Sequence, residues 1–223
     1  MQITGRELSL IYDLNKEECT DAFKDIDICL NNREMVGIMG PSGCGKSSLL
    51  YVLSGMRKPT GGTVYYDDVD IGDYTADEKA RIRKNKFGLI FQKHFLIEYL
   101  TVLDNVLTPI NSRKKEDLNK AMELLETLKI SHLAGRRPGQ ISCGQRQRTA
   151  IARALINDPK VIFADEPTAS LDHNNAMEVI HILDKFREKT GIIIATHDRS
   201  ILKNADRIIE LWDGCAIKTG VSK

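Results

Sequence analysis

The stretch GPSGCGKS, at residues 40–47, constrains the fold of this 223-residue chain more than any other feature. An apolar run, VGIM, precedes it and a helical pattern, KSSLLYVLSGM, begins inside it, so the pattern G-x-x-x-x-G-K-[ST] stands between a strand and a helix. Glycines let the backbone fold around a phosphate, with successive amides and the positive end of the helix facing the negative charge. The sequence therefore predicts a nucleoside triphosphate site in a protein that alternates strands and helices.

Two side chains of this loop have specific chemistry. Lys46 can reach the outer phosphates of a nucleotide, and the hydroxyl of Ser47 can bind Mg²⁺. We expect the phosphates to lie against Gly40, Pro41, Ser42, Gly43, Cys44, Gly45, Lys46, Ser47 and Ser48.

Two more short apolar runs accompany the one before the loop. VIFAD at residues 161–165 and IIIAT at residues 192–196 are rich in β-branched residues and too short for buried helices. Such runs are typical of strands that are buried on both faces of a parallel sheet. Helical patterns at residues 46–56 and 175–189 alternate with these runs, which indicates an α/β fold.

The remaining chain predicts two other kinds of structure. Residues 2–12, 22–30 and 62–71 alternate apolar and polar side chains, which predicts antiparallel strands near the N-terminus. Residues 93–157 have no convincing strand pattern and predict a helical insert. We expect one domain, residues 1–223, whose α/β core and antiparallel β subdomain come from residues 1–92 and 158–223.

Polar residues follow two of the apolar runs. Asp165 and Glu166 end VIFAD, at the carboxyl edge where α/β sheets bind ligands. Asp165 suits the metal ion, through a water molecule, and Glu166 can polarise an attacking water; a carboxylate that caps a turn before Pro167 is the alternative. His197 follows IIIAT at the same edge. A lone histidine is usually structural, but one placed here can reach a γ-phosphate.

The stretch ISCGQRQR, at residues 141–148, begins another helix. Ser142 and Gln145 have the spacing of a capping box, in which each side chain binds the backbone amide of the other residue. The helix is expected to expose its arginines and to bury Ala150, Ile151, Ala154 and Leu155. It is thus a well-capped amphipathic helix, but its start also offers a hydroxyl and free amides at the positive end of a helix, which is an anion site.

Charge and cysteine content limit the partners and the compartment. Lys plus Arg number 32 and Asp plus Glu number 31, so charge alone does not attract the chain to nucleic acid or to anionic lipid. The five cysteines are odd in number and show no CxxC spacing, which favours a reducing compartment. Apolar runs stay well below the roughly 20 residues of a membrane span. We expect a cytoplasmic protein whose membrane contact comes through a partner.

These motifs resemble those of the nucleotide-binding subunit of ABC transporters, in the same order and over nearly the whole chain. GPSGCGKS is similar to Walker A, VIFADEP to Walker B, and ISCGQ stands where the family has LSGGQ. Gln92 resembles the Q-loop glutamine, ASLD at residues 169–172 the D-loop, and His197 the switch histidine. Tyr12, which lies 34 residues before Lys46, resembles the aromatic residue that stacks on adenine.

The resemblance implies ATP and Mg²⁺ as cofactors and assigns a role to each motif. The catalytic residues would be Glu166, His197, Gln92 and Lys46. The metal ligands would be Ser47, Gln92 and Asp165.

The resemblance also implies two partners. Two copies would pair head to tail, so that each nucleotide also contacts the other copy through Ser142, Cys143, Gly144, Gln145 and Asp172. A separate integral-membrane permease would receive the resulting motion through the helical insert and the segment after Gln92. The chain would then be peripheral on the inner face of the cell membrane.

The cysteine in ISCGQ departs from the family, which usually has glycine at position 143. If Ser142 caps the helix, Cys143 is the first helical residue, and the backbone allows its side chain. Thiols at helix N-termini tend to be reactive. We therefore predict an active protein that is sensitive to thiol oxidation or alkylation, at Cys143 and at Cys44 in the phosphate loop.

Within the family, the chain resembles lone cassettes of the LolD, MacB and BceA types, which serve lipoprotein release, macrolide export and antimicrobial-peptide resistance. Their permeases move or extract amphiphiles. A cassette of the FtsE type, which regulates a membrane partner without moving cargo, is the alternative. A soluble cassette acting on DNA or ribosomes is a third possibility, but such relatives usually carry coiled-coil insertions or two cassettes in one chain and are more basic. We expect no nucleic-acid partner.

Overall fold

The structure, a computed structural model, describes residues 1–12 and 20–221. Its strands are β1 (Ile3–Tyr12), β2 (Thr20–Leu30), β3 (Met35–Met39), β4 (Gly61–Tyr66), β5 (Val69–Asp70), β6 (Phe87–Ile90), β7 (Val161–Asp165), β8 (Gly191–Thr196), β9 (Arg207–Trp212) and β10 (Cys215–Val221). Its α-helices are α1 (Lys46–Leu53), α2 (Ala76–Lys86), α3 (Val102–Leu107), α4 (Lys115–Thr127), α5 (Cys143–Leu155) and α6 (His173–Phe186). Short 3₁₀ helices cover Ser131–Leu133, Pro138–Gln140 and Arg199–Leu202.

The larger sheet has six strands in the order β10-β9-β3-β8-β7-β6. Neighbouring strands from β9 to β6 are parallel, and β10 is antiparallel to β9. The three apolar runs of the sequence form β3, β8 and β7, side by side in the middle of this sheet, and every residue of β7 and β8 is buried. The predicted α/β core is therefore confirmed.

The sequence pattern does not predict the other three strands of this sheet, β6, β9 and β10. β6 has only four residues and follows directly on the charged helix α2, and Glu210 interrupts the apolar residues of β9. Such short runs cannot be told from loop or helix segments by periodicity. β6 and β9 form strands because each pairs with a buried neighbour, β7 and β3.

The smaller sheet is antiparallel, in the order β2-β1-β4-β5, as the alternating residues near the N-terminus predict. Residues 62–71 supply most of the hairpin formed by β4 and β5. The two-residue turn of this hairpin is Asp67 and Asp68, whose φ angles are 48° and 67°. Positive φ at both positions matches the twist of the flanking strands.

Residues 93–157, all of which the structure describes, contain α3, α4, α5 and two 3₁₀ helices, and no strand. This helical insert shares its core with the larger sheet. Leu125 of α4 and Ile151 of α5 belong to one apolar cluster with Ile162 and Ile192 of the sheet. Burial of this common face holds the start of α5, with the ISCGQ stretch, at a fixed place beside the sheet.

The helices are short compared with a lipid bilayer. The longest in the described part of the chain, α6, has 14 residues, against the roughly 20 that a span requires. None of the helices in residues 1–12 and 20–221 is long and apolar enough to cross a membrane.

Candidate functional site

The carboxyl ends of β3, β7 and β8 bring the predicted site residues together. Met39 is paired with Thr196, and Asp165 is paired with Ala195, so the three strands end side by side. The phosphate loop follows β3, Glu166 follows β7 and His197 follows β8. Ligands of α/β proteins bind outside this edge of the sheet.

Within the phosphate loop, Gly45 is the residue that precedes the first turn of α1. Its φ is +96°, an angle that glycine adopts at little energetic cost, and a Cβ there would lie 2.1 Å from the carbonyl oxygen of Ala22. Because glycine has no side chain to cap the helix, the first amides of α1 are open to an anion.

The ammonium group of Lys46 lies inside this loop, and the residue is 6% exposed. Nζ donates hydrogen bonds of 2.8 Å to the carbonyl oxygens of Gly40 and Pro41, and it lies 3.9 Å from Oε1 of Glu166. Gly40 and Pro41, which the sequence predicts to contact phosphate, therefore bind Lys46 through their carbonyl oxygens in this structure. Both carbonyl oxygens are neutral partners, which a phosphate oxygen can replace with a charge-assisted hydrogen bond.

Both carboxylate oxygens of the buried Asp165 accept hydrogen bonds from α1. The hydroxyl of Ser47 donates to Oδ1 at 2.7 Å, and that of Tyr51 donates to Oδ2 at 3.1 Å. Burial raises the pKa of Asp165, and the hydrogen bonds from Ser47 and Tyr51 oppose that shift. Burial and the neighbouring carboxylate raise the pKa of Tyr51 to about 12, so its hydroxyl stays a donor near neutral pH.

Glu166 and His197 are hydrogen-bonded to each other, with Nδ1 of His197 at 2.9 Å from Oε1 and 3.0 Å from Oε2. The Glu166 side chain is 12% exposed, and the His197 side chain is 58% exposed. The backbone of Glu166 has a φ of +46°, and its amide donates to the carbonyl oxygen of Ala195 at 2.9 Å. A non-glycine residue in this conformation is strained, and such strain concentrates at functional sites.

A cavity of about 320 Å³, here called the phosphate-loop cavity, is lined by Lys46, Ser47, Glu166 and His197, but not by Asp165. Tyr12 lines it too, with its hydroxyl 2.8 Å from Oγ of Ser48 and its ring 4.2 Å from the guanidinium carbon of Arg57. The side chain of Cys44 is buried, so only its backbone can face a phosphate. The predicted residues on the cavity wall are Tyr12, Ser42, Gly43, Gly45, Lys46, Ser47, Ser48, Gln92, Glu166 and His197.

The ISCGQ stretch lies at a different cavity, of about 430 Å³, here called the signature cavity. The Ser142 hydroxyl accepts from the Gln145 amide at 3.3 Å, and the Gln145 side chain accepts from the Ser142 amide at 2.8 Å, so the predicted capping box is confirmed. Asp172 caps α6 in a similar way, accepting from the amide of Asn175 at 3.0 Å. The predicted residues on this wall are Ser142, Cys143, Gly144, Gln145 and Asp172.

The two cavities share no lining residue among those that the structure describes. The structure therefore divides the predicted site residues into two groups. One group has the open helix start, Lys46 and Glu166, and the other has the capped helix start and Asp172. A single chain does not bring these groups around one ligand.

The prediction that α5 exposes its arginines is wrong for Arg148, which is 8% exposed. Its guanidinium group donates to the carbonyl oxygen of Leu128 at 3.2 Å, to Asn175 at 3.0 Å and to Glu178 at 2.6 Å. These partners satisfy the buried charge. The predicted burial of the apolar face is confirmed for Ala150, Ile151, Ala154 and Leu155.

Two side chains beside the phosphate-loop cavity belong to no motif. Tyr51 lies four residues after Ser47, so the two share one face of α1, and this spacing is visible in the sequence. Arg57 reaches Tyr12 only because the chain folds back on β1, and no local pattern indicates that contact.

Known proteins share this sequence and fold. A family model described as "ABC transporter" matches residues 23–169. MJ0796, an uncharacterised ABC transporter ATP-binding protein of Methanocaldococcus jannaschii, is 40% identical over 207 residues, which cover 89% of this chain and 88% of that protein. The macrolide export ATP-binding/permease protein MacB of Bartonella henselae is 41% identical over 215 residues, which cover 93% of this chain and 32% of MacB.

A solved structure of dimeric MJ0796 in a post-hydrolysis state, bound to ADP and Pi, matches with a TM-score of 0.92 at 35% identity over 99% of both chains. The chain therefore belongs to the ABC transporter family. Within that family it is an ATP-binding ATPase subunit of the LolD and MacB type, which works with a membrane partner.

Proposed function

We propose that the chain hydrolyses ATP in composite sites, each built from the phosphate-loop cavity of one copy and the signature cavity of a second. The main support is the division of the site residues between two cavities that share no lining residue in the described part of the chain. MJ0796 has been solved as a dimer, once with ADP and Pi bound, which supports a site that needs two copies. The residues that contact the nucleotide of the other copy are then Ser142, Cys143, Gly144, Gln145 and Asp172.

ATP binds first through its phosphates in this proposal. The open amides at the start of α1 receive them, and Lys46 exchanges the carbonyl oxygens of Gly40 and Pro41 for phosphate oxygens. Adenine stacks on the ring of Tyr12. The bond to Ser48 and the contact with Arg57 hold that ring in place.

The donors around Asp165 fit Mg²⁺, which prefers hard oxygen ligands in octahedral geometry. The Ser47 hydroxyl, the Gln92 amide oxygen and, through water, the Asp165 carboxylate supply them. The Ser47 hydroxyl can donate its proton to Asp165 and still offer a lone pair. When bound, Mg²⁺ neutralises charge on the β- and γ-phosphates.

Glu166 acts as the general base that takes a proton from the attacking water. Lys46 and His197 flank its carboxylate, at 3.9 and 2.9 Å. Both can turn to the γ-phosphate, because the lysine leaves neutral acceptors and the histidine side chain is exposed. Gln92, on the cavity wall, orients the water and the metal.

The permease is proposed to bind in a groove of about 540 Å³ beside the site. Phe91 and Phe95 give it an apolar surface, and Phe95 is 64% exposed. Arg83 and Arg153 add positive charge at its wall. Because Phe91 directly precedes Gln92, the groove and the phosphate-loop cavity share one segment of chain.

The chain is then peripheral on the cytoplasmic face of the cell membrane, held there by the permease. The cargo is proposed to be an amphiphile such as a lipoprotein, a peptide or a drug. The likeness to MacB, a macrolide export protein, supports this class.

The substitution Glu166→Gln tests the composite site, because it keeps the shape of the side chain and removes the base. ATP binding should persist, turnover should fall by about 10²- to 10⁴-fold, and a dimer with two trapped ATP molecules should accumulate. Light scattering and nucleotide counting measure this. Full turnover in this variant would remove Glu166 from the mechanism. If the variant remained a monomer at saturating ATP, the composite site would be refuted.

A further inference from the structure

Tyr51 touches both the proposed metal site and the groove. Its hydroxyl donates to Oδ2 of Asp165 at 3.1 Å, and its ring lines the groove. The ring centroid lies 6.3 Å from that of Phe91, the residue before Gln92. Neither Tyr51 nor Asp165 lines the phosphate-loop cavity, whereas Ser47, the other donor to Asp165, does.

The geometry of α1 explains why one helix can hold this carboxylate at both oxygens. Ser47 and Tyr51 are four residues apart and project from the same helix face. The shorter side chain reaches Oδ1 at 2.7 Å, and the longer one reaches Oδ2. The terminal torsion of an aspartate is broad and only weakly fixed by its own rotamer preference. Two donors on a rigid helix therefore decide which oxygen faces Ser47.

We propose that Tyr51 is a positioning residue for Mg²⁺: its hydroxyl fixes the Asp165 carboxylate in the orientation that receives the ion. It acts through Asp165 and touches neither the ion nor the nucleotide. This inference rests on the proposed function, in which Asp165 serves the metal. Tyr51 also lines the groove. This one side chain therefore contacts both the Asp165 carboxylate and the surface that is proposed to bind the permease.

The substitution Tyr51→Phe keeps the ring and deletes the hydroxyl. Mn²⁺ is the probe in place of Mg²⁺, because electron paramagnetic resonance counts the free ion directly. For the full chain with ATP, the half-saturating Mn²⁺ concentration should rise about three- to tenfold, the range for the loss of one hydrogen bond. ATP affinity measured in EDTA should not change, since the phosphate loop is intact.

Tyr66→Phe is the matched control. The Tyr66 hydroxyl is also buried and donates to α1, at the carbonyl oxygen of its last residue, Leu53, at 2.9 Å, and makes no hydrogen bond to Asp165. This variant should lose thermal stability and keep the Mn²⁺ affinity of the wild type. In an Asp165→Asn background, Tyr51→Phe should add no further loss of Mn²⁺ affinity, because the residue through which it acts is gone.

Equal Mn²⁺ affinity in wild type and Tyr51→Phe would overturn the proposal. An equal loss in Tyr66→Phe, or a full additional loss in the Asp165→Asn background, would also overturn it by showing a general effect on the helix. Failure of the wild-type chain to bind Mn²⁺ in the presence of ATP is a separate result, which would refute the metal site itself and the inference with it.

Discussion

His197 donates a hydrogen bond to Glu166, from Nδ1 to Oε1 at 2.9 Å. The direction follows from the acceptor, because an ionised carboxylate has no proton to give. In the neutral ring Nδ1 then carries the only N–H, so His197 would donate to a γ-phosphate by turning this group away from Glu166. The same carboxylate lies 3.9 Å from Nζ of Lys46. The proposed base is therefore held between two groups that can also bind a γ-phosphate.

Replacing His197 by alanine should separate binding from turnover. Glu166 and Lys46 remain, so ATP should bind with nearly unchanged affinity, while turnover should fall about 10²-fold because one group that orients the base and the γ-phosphate is lost. Equilibrium ATP binding and steady-state ATPase rates measure the two effects. His181→Ala, an exposed histidine on α6, is the control and should behave as the wild type. Unchanged turnover in His197→Ala would remove this residue from the mechanism.

The positive φ of Glu166 predicts an unusual stability result. Both Glu166→Ala and Glu166→Gly remove the carboxylate, but only glycine relieves the strained backbone. The glycine variant should therefore be more stable than the alanine variant by about 1 kcal/mol, although both lack ATPase activity. Urea unfolding compares them.

The exposed Glu188 is the control for this comparison, since its φ is not positive. There the order should reverse, with alanine more stable than glycine, because glycine only adds freedom to the unfolded chain. If the alanine variant were the more stable one at position 166 as well, the backbone of Glu166 would not be strained.

The motifs could be predicted from the sequence because each depends on residues close together in the chain. The phosphate loop and the capping box at Ser142 span eight residues or fewer, and their geometry follows from local spacing. The environment of Arg148 could not be predicted, since its partners Leu128, Asn175 and Glu178 come from outside α5. An arginine in an amphipathic helix is usually exposed, and only contacts with residues distant in sequence, Leu128 after α4 and Asn175 and Glu178 on α6, bury this one.

The separation of the site into two cavities could not be derived from residue patterns either. A pattern identifies the ends of strands and the starts of helices, and it does not say how far apart in space they are. The resemblance to a family supplied the expectation that ISCGQ serves a second copy. The structure adds that Ser142 and Lys46 line different cavities.

Ser142→Ala should act on the dimer and not on ATP binding by one chain. The isolated chain should bind ATP with unchanged affinity, and ATP-dependent dimerisation should weaken at least about tenfold, because a charge-assisted hydrogen bond to the nucleotide is lost. Removal of the cap should also lower stability by about 1 kcal/mol. Thr75→Ala removes an equivalent capping box from α2 and should lower stability without affecting the dimer. Equal dimerisation of Ser142→Ala and wild type would contradict a role in the second copy's site.

Cys143 is the thiol expected to control sensitivity to alkylation. It is exposed at the start of α5, whereas Cys44 is buried, so the structure disfavours the second target that the sequence suggested. His94 lies with Nε2 4.0 Å from the Cys143 sulfur, and burial, followed by two nearby arginines, lowers its pKa. Cys19 lies outside the described residues.

Treatment with N-ethylmaleimide should therefore block ATP-dependent dimerisation and ATPase activity of the wild type. Cys143→Ser should resist the reagent, while Cys44→Ser and Cys215→Ser should stay sensitive; Cys215 is exposed on β10 and lines neither cavity. Mass spectrometry locates the label. Inhibition that persists in Cys143→Ser would assign the sensitivity to another thiol.

The buried Arg148 of α5 connects this helix to the start of α6. It donates to Asn175, which in turn donates to Asp172 at 2.5 Å. Two parts of the signature cavity, Ser142 at the start of α5 and Asp172 at the start of α6, are thus connected through one guanidinium group. Removing it should disturb both.

Arg148→Ala should lower the free energy of unfolding by about 3 kcal/mol, because it removes three hydrogen bonds and leaves the carbonyl oxygen of the buried Leu128 without this donor. It should also weaken ATP-dependent dimerisation, while one chain keeps its ATP affinity, since the phosphate-loop cavity is untouched. Arg199→Ala breaks an exposed ion pair with Glu210 and should change stability by less than about 1 kcal/mol. Urea unfolding and light scattering measure the two effects. If Arg148→Ala lost stability but dimerised as the wild type does, the guanidinium group would hold the fold together without positioning the signature cavity.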